Sequence, residues 1–445
     1  MSDYINYDDL AGAFYSAGPQ AGLESCIAVL RAGSDPHALF RLLLLKKRHE
    51  LGLPLLNPGS LSGCPEQVRA EYKAFADATC REIGVRCLAA GEVGQAWRYF
   101  GALNEPAAVR TALEKLEAQK ASDEALKVAL EYGVHPRRGF QLTLERDGLG
   151  RAIALFEAGF AASLEDKQSA AGLLVRALYK ELVIGVCRAL LERQGELPPE
   201  RELVDLVLTR RWLFEDNRSY SDSQHIAAVS RIGLLAAERE ELIMSLSISE
   251  YGRLLSAQHR PSPRAPFEDG FDDHARYARA LLGQNADATA DHFRSKLPMY
   301  QGSTTDLYPA EMVLLLFWRL GRKDEALDIW QNYLSARQPE LPGACSPSFY
   351  EMCAETKSFY RWTEAARQHD DITAWAAARI MESAQPSPVK PEPPPAPAEP
   401  PVPAPEPTAP PSPSAPASAA PAPAATPELI APPPSKADKE TEELS

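Results

Sequence analysis

Residues 83–103 read IGVRCLAAGEVGQAWRYFGAL, and their spacing decides the fold. Ile83 and Cys87 recur at a helical interval, Gly91 interrupts, and Ala96, Phe100 and Leu103 resume the interval. The pattern predicts two helices joined by a short turn. Gly91 suits a sharp turn because, lacking a Cβ, it tolerates a positive φ. Ala96 lets the two helix axes approach closely, and Phe100 fills the space between one hairpin and the next. The same order returns as Val313, Leu314 and Phe317, then Gly321, then Ala326, Trp330 and Tyr333. A near-copy stands 38 residues before the second, with Gly283, Ala288, and His292 in the aromatic slot beside Phe293.

The surrounding chain has the same character. Ala, Leu, Glu and Arg are abundant and lose little rotamer freedom in a helix, and no run of alternating β-branched residues marks a strand. Asp35-Pro36 pairs a capping carboxylate with a proline suited to the first helical position, opening a helix over 36–50. Ser122 opens another that ends at Gly133, as do Pro198-Pro199-Glu200 and Ser346-Pro347. The longest stretch without proline runs from Leu164 to Gln194, with apolar residues on more than one face. Sixteen to eighteen helices are expected in all.

At the two good hairpins the sequence resembles tetratricopeptide (TPR-like) helical repeats. The resemblance covers residues 76–108 and 307–339, with a weaker third hairpin starting near Phe271. The 38-residue spacing departs from the usual 34, and the family's first-helix Trp is missing from both copies. The resemblance therefore implies an all-α chain of antiparallel helix hairpins, a divergent α-solenoid. It implies a protein or peptide partner held in a helical groove, with no chemistry and no cofactor. Carried over to matching first-helix positions, the groove residues would be Arg81, Glu311 and Arg319.

Two segments break the helical pattern. Residues 53–65 form a Pro/Gly/Ser loop, and residues 259–270 carry three prolines in six positions, which no helix accommodates. The expected order is helical block one (1–258), a Pro-rich connection (259–270), helical block two (271–385) and a tail (386–445). Of the chain's 39 prolines, 22 fall in that tail, which has almost no large apolar residue and is expected to be disordered. The net charge of −14 argues against binding a phosphate backbone by bulk charge. The acidic start MSDYINYDD lacks a secretory pattern, and no apolar run reaches the roughly 18–20 residues that span a bilayer. Seven scattered cysteines without a CxxC pair fit a reducing, cytoplasmic setting.

One constellation has chemical potential. Asp272, Asp273 and His274, with Asp291 and His292 on the next helix, are a ligand set for zinc, iron or manganese. Two acids opening a helix also serve as its N-terminal cap, and His292 has a packing role in the near-copy hairpin. No HExxH, GxxxxGK[ST] or GxSxG occurs. The basic clusters Arg137-Arg138 and Arg210-Arg211-Trp212 read as helix-end surface charge. The expected function is a non-catalytic interaction scaffold or adaptor, with a helical metal-dependent enzyme built on the Asp/His cluster as the alternative.

Overall fold

The computed structural model describes residues 7–384 except 56–60, 62, 261 and 303–305. The chain divides into two units, residues 1–385 and 386–445, and every element below belongs to the first. The expectation of a disordered tail lies outside the described residues. Among the described residues every regular element is helical and no strand occurs. The first blocks are α1 (Tyr7–Ala32), α2 (Pro36–Glu50), α3 (Glu66–Ala89), α4 (Val93–Ala102), α5 (Ala107–Lys115), α6 (Asp123–Leu130), α7 (Pro136–Asp147) and α8 (Leu149–Ala158). After them come α9 (Leu164–Gln194), α10 (Leu203–Leu208), α11 (Ser223–Ile232), α12 (Arg239–Leu254), α13 (Phe271–Leu281) and α14 (Ala286–Lys296). The last are α15 (Tyr308–Arg319), α16 (Lys323–Ile329), α17 (Phe349–Glu355), α18 (Phe359–Gln368) and α19 (Ile372–Ser383). Most pack against their chain neighbours, while the long α9 also packs on α7, α11 and α12.

Local chemistry explains the boundaries. The Asp35 carboxylate accepts from His37 N and Ala38 N at the start of α2, and Ser122 caps α6. Ser163 with Asp166, and Ser348 with Glu351, close reciprocal capping boxes on α9 and α17. Helix α10 starts at Leu203, beyond the expected Pro198-Pro199 opening, and the Tyr179 phenol oxygen accepts from Leu203 N there at 3.1 Å.

The quoted hairpin is α3–α4. Gly91 has φ of +78° and Gly321, in the matching turn of α15–α16, has +77°. In both, the residue after the glycine reaches back five: Glu92 N–H to Cys87 C=O at 2.9 Å, and Arg322 N–H to Phe317 C=O at 3.0 Å. The same bond, each time after a residue at positive φ, recurs from Leu53 to Arg48, Glu105 to Phe100, Gln284 to Arg279, Ser358 to Cys353 and Asp371 to Ala366. Three of these place a residue other than glycine at positive φ, namely Asn104, Lys357 and Asp370. Those turns carry no glycine signal, which is why the helix count exceeds expectation.

Packing follows the small-residue and aromatic positions. Ala96 and Ala326 are fully buried, and Trp330 stacks on Phe349 of the next hairpin with centroids 4.0 Å apart. At α13–α14 the register differs from the sequence reading. Asn285, in the left-handed conformation, lengthens the turn by one residue. Ala288 is therefore exposed, and Thr289 and Phe293 take the small and aromatic places at 2 % and 0 % exposure. His292 rotates out of the core.

The buried apolar side chains form two clusters. One runs from Ile27 to Val134, the other from Ala118 to Ala378. They meet at α6, which gives Ala125, Val128 and Ala129 to the first and Leu126 and Leu130 to the second. Residues 259–270 lie within the second cluster's span. Their Phe267 is fully buried, edge-on to Tyr277 and Phe293.

Candidate functional site

Successive residues on an α-helix diverge by about 100°, so Asp272, Asp273 and His274 at the start of α13 face three directions. Asp272 is half exposed and pairs with Arg253 of α12 at 2.6 Å. Asp273 is fully buried. Its Oδ1 meets His292 Nε2 at 2.9 Å, and its Oδ2 accepts from Asp269 N at 3.1 Å and Lys296 Nζ at 2.7 Å. Burial alone would push the Asp273 carboxyl up; the Lys296 ammonium, the Asp269 N–H and His292 outweigh it and hold the carboxyl below its ordinary value. Lys296 also bonds Glu268 and the carbonyl of Pro266, and Tyr300 donates to Glu268.

The structure thus brings Asp273 and His292 together and leaves Asp272, His274 and Asp291 apart. Asp291 is exposed, 3.8 Å from Arg294. A residue outside the sequence reading, Asp269, joins instead: ligand atoms of Asp269, Asp273 and His292 lie within 4.8 Å of one another. Those three would be the metal ligands, but the Lys296 ammonium stands where a cation would compensate Asp273. Lys296 and Asp269 escaped detection because neither belongs to a histidine–acid run.

His274 turns inward. Its Nδ1 lies 3.1 Å from Ser230 Oγ, Ser230 lies 2.6 Å from Ser249 Oγ, and Ser249 donates to Ser245 C=O at 3.0 Å. Each serine has one proton. All three contacts are hydrogen bonds only if His274 Nδ1–H donates to Ser230, Ser230 to Ser249, and Ser249 to the carbonyl. In the neutral ring, His274 Nε2 then carries a lone pair. Burial, then the neighbouring Arg231, lowers the His274 pKa to about 3, so the ring is neutral.

Beside His274, at the N-terminal end of α13, opens a cavity of about 220 Å³. Its floor includes Ala227, Phe271 and His274, and its rim carries Arg231, Arg260 and Arg264. A larger groove of about 750 Å³ lies between α6, α7 and α8. Leu126, Leu130, Leu155 and Phe160 line it, and Lys127, Glu131, Arg146 and Asp147 ring it. Arg146 is fixed by Asp123, Asp147 and the carbonyl of Ala121, which keeps the rim in place.

The three residues implied by the repeat resemblance have internal partners. Arg81 makes a bidentate pair with Glu105. Glu311 is buried and bonded to Arg337; burial raises its pKa against the pull of that guanidinium. Arg319 donates to the carbonyls of Leu234 and Ala236 at 2.8 Å each. Of the basic clusters, Arg138 caps Leu116 and Arg210 caps Leu206 while pairing with Glu200, whereas Arg137 and Arg211 are exposed. A scan against protein-family models and searches of curated proteins and solved structures found no match. Among the described residues no helix is long and apolar enough to cross a membrane.

Proposed function

We propose that this chain is a non-catalytic protein-interaction scaffold, a divergent TPR-like α-solenoid that holds an amphipathic helical segment of a partner protein. The observation that carries the reading is the groove between α6, α7 and α8, whose leucine and phenylalanine floor lies under a rim of both charge signs. An amphipathic helix fits such a groove by seating its apolar stripe on the floor and its polar flanks on the rim. The recurring hairpin turn supports the solenoid reading, because like turns let successive helix pairs share one apolar seam. Free cysteines support a reducing, cytoplasmic setting, and the net charge of −14, with Arg138 and Arg210 engaged internally, supports a protein partner over nucleic acid.

A photo-crosslinking residue at Leu155, with a second at exposed Ile184 as control, tests this. Crosslinking of a defined partner segment at 155 alone, followed by loss of its binding in Leu155→Asp and Phe160→Asp, is the expected result. Undiminished binding by both variants would refute the groove. The rival reading, a metal-dependent enzyme, rests on Asp269, Asp273 and His292; stoichiometric metal in purified protein, lost in His292→Ala, would favour it.

A further inference from the structure

The cavity at the start of α13 is chemically unlike the partner groove. His274, 7 % exposed, lines it, and its Nε2 has no hydrogen-bond partner among the described residues. In the neutral, buried ring the serine relay places the proton on Nδ1, which leaves Nε2 an acceptor that calls for a ligand that donates. Across the cavity the arginines call for a ligand that is anionic. Arg231 is committed to Glu157, and Arg260 spends part of its guanidinium on the carbonyls of Leu255 and Arg253. Arg264 lies over the Tyr308 ring at 4.3 Å and has no acidic partner among the described residues. Of the carboxylates on the lining, Glu268 is bonded to Lys296 and Tyr300, and Asp272 to Arg253. Asp269 lies with the Asp273–His292 pair.

A singly protonated phosphoryl group bears negative oxygens and an O–H together; a simple carboxylate or sulfate at neutral pH has the charge without the proton. We propose that this cavity binds a phosphoryl group, with its anionic oxygens on Arg260 and Arg264 and its P–O–H donating to His274 Nε2. The cavity's 220 Å³ equals the liquid volume of several waters at about 30 Å³ each, enough for the group and the first atoms of an ester substituent. The positive end of the α13 dipole adds to the attraction. The cavity shares no lining residue with the partner groove, so phosphoryl binding here stands whether or not the groove holds a partner.

Titration calorimetry of the full chain at about pH 6, where a phosphate ester is partly protonated, tests it. Inorganic phosphate and a phosphoserine peptide should each bind, and sulfate should bind at least about tenfold more weakly, because the acceptor is left unpaired. Arg264→Met, at an exposed position, should weaken phosphate by about tenfold while leaving circular dichroism unchanged. A tighter phosphopeptide than inorganic phosphate makes the source protein-borne; equal affinities make it free phosphate, and either supports the site. Absence of binding at about 10 mM phosphate, or sulfate equal to phosphate, or an unaffected Arg264→Met, would overturn it.

Discussion

Replacing Lys296 by Met should be among the most damaging single changes in the molecule. Its ammonium is 2.7 Å from Asp273 Oδ2, and Asp273 is 0 % exposed. Met keeps most of the aliphatic length, so packing is largely preserved and the change isolates the charge. It leaves a buried carboxylate with His292, one backbone N–H and the more distant, half-exposed Arg276 at 3.7 Å, but no lysine, and removing the close partner of a buried charge costs about 3–5 kcal/mol. The matching surface substitution, Lys323→Met, breaks a pair with Glu355 whose side chains are 39 % and 54 % exposed, and should cost about 1 kcal/mol or less. Urea unfolding followed by circular dichroism compares the two. The acid limb provides a second check. Asp273 is held below its ordinary value, so its contribution is present above the unfolded pKa near 3.9 and disappears as pH falls through the folded value. The gap between wild type and Lys296→Met should therefore close below about pH 4. Adding Asp273→Asn to Lys296→Met should cost less than the two changes summed, by about 1–3 kcal/mol. A Lys296→Met protein within about 1 kcal/mol of wild type at pH 7 would show that the lysine does not brace the buried acid.

Three further outcomes follow from the geometry. Deleting Asn285 should leave Thr289 and Phe293 five and nine residues after Gly283, the spacing of the Gly91 and Gly321 turns, so the core keeps its register at a cost of about 1 kcal/mol or less in urea unfolding; deleting Gln284 as well brings Arg294 to the aromatic place and should cost about 3 kcal/mol or more, and equal costs would contradict the register. Because the His274 pKa is depressed to about 3, the folded ring stays neutral while the unfolded ring protonates, so stability should fall as pH drops below about 6.5; His274→Gln should flatten the slope between about pH 6.5 and 4.5, and an unchanged slope would contradict the buried neutral ring. Burial pushes the Cys345 and Cys353 thiols up to about 12, so both should resist a thiol reagent in the native protein and react fully in urea; fast native labelling of either would contradict their placement.

Much of the helical framework is legible in the sequence because its signals are local. Asp35 before Pro36 marks a helix start by itself, and Gly91 and Gly321 mark turns that need positive φ. The signal fails where the determinant is remote or unspecific. Tyr179, which accepts from the first N–H of α10, lies more than twenty residues away in the chain, and Lys357 and Asp370 occupy left-handed turns that their side chains do not announce. In the Asp/His constellation the residue types are visible but not their directions. Adjacent positions on α13 cannot converge, whereas Asp273 and His292 meet because a hairpin folds one helix back on the other. Asn285 is what turns His292 toward that meeting. The lysine that completes the cluster could not be singled out, since one lysine on an amphipathic helix resembles any other until its partner is known.

The eight residues of α6 have a consequence for how the molecule comes apart. Ala125, Val128 and Ala129 belong to one apolar cluster, Leu126 and Leu130 to the other, so this short element is a party wall with a tenant on each side. Melting it opens both rooms at once. Heat or denaturant should therefore meet linked rather than separate transitions, and damage at Val128 or Leu126 should travel to the far side of the wall, whichever side was struck.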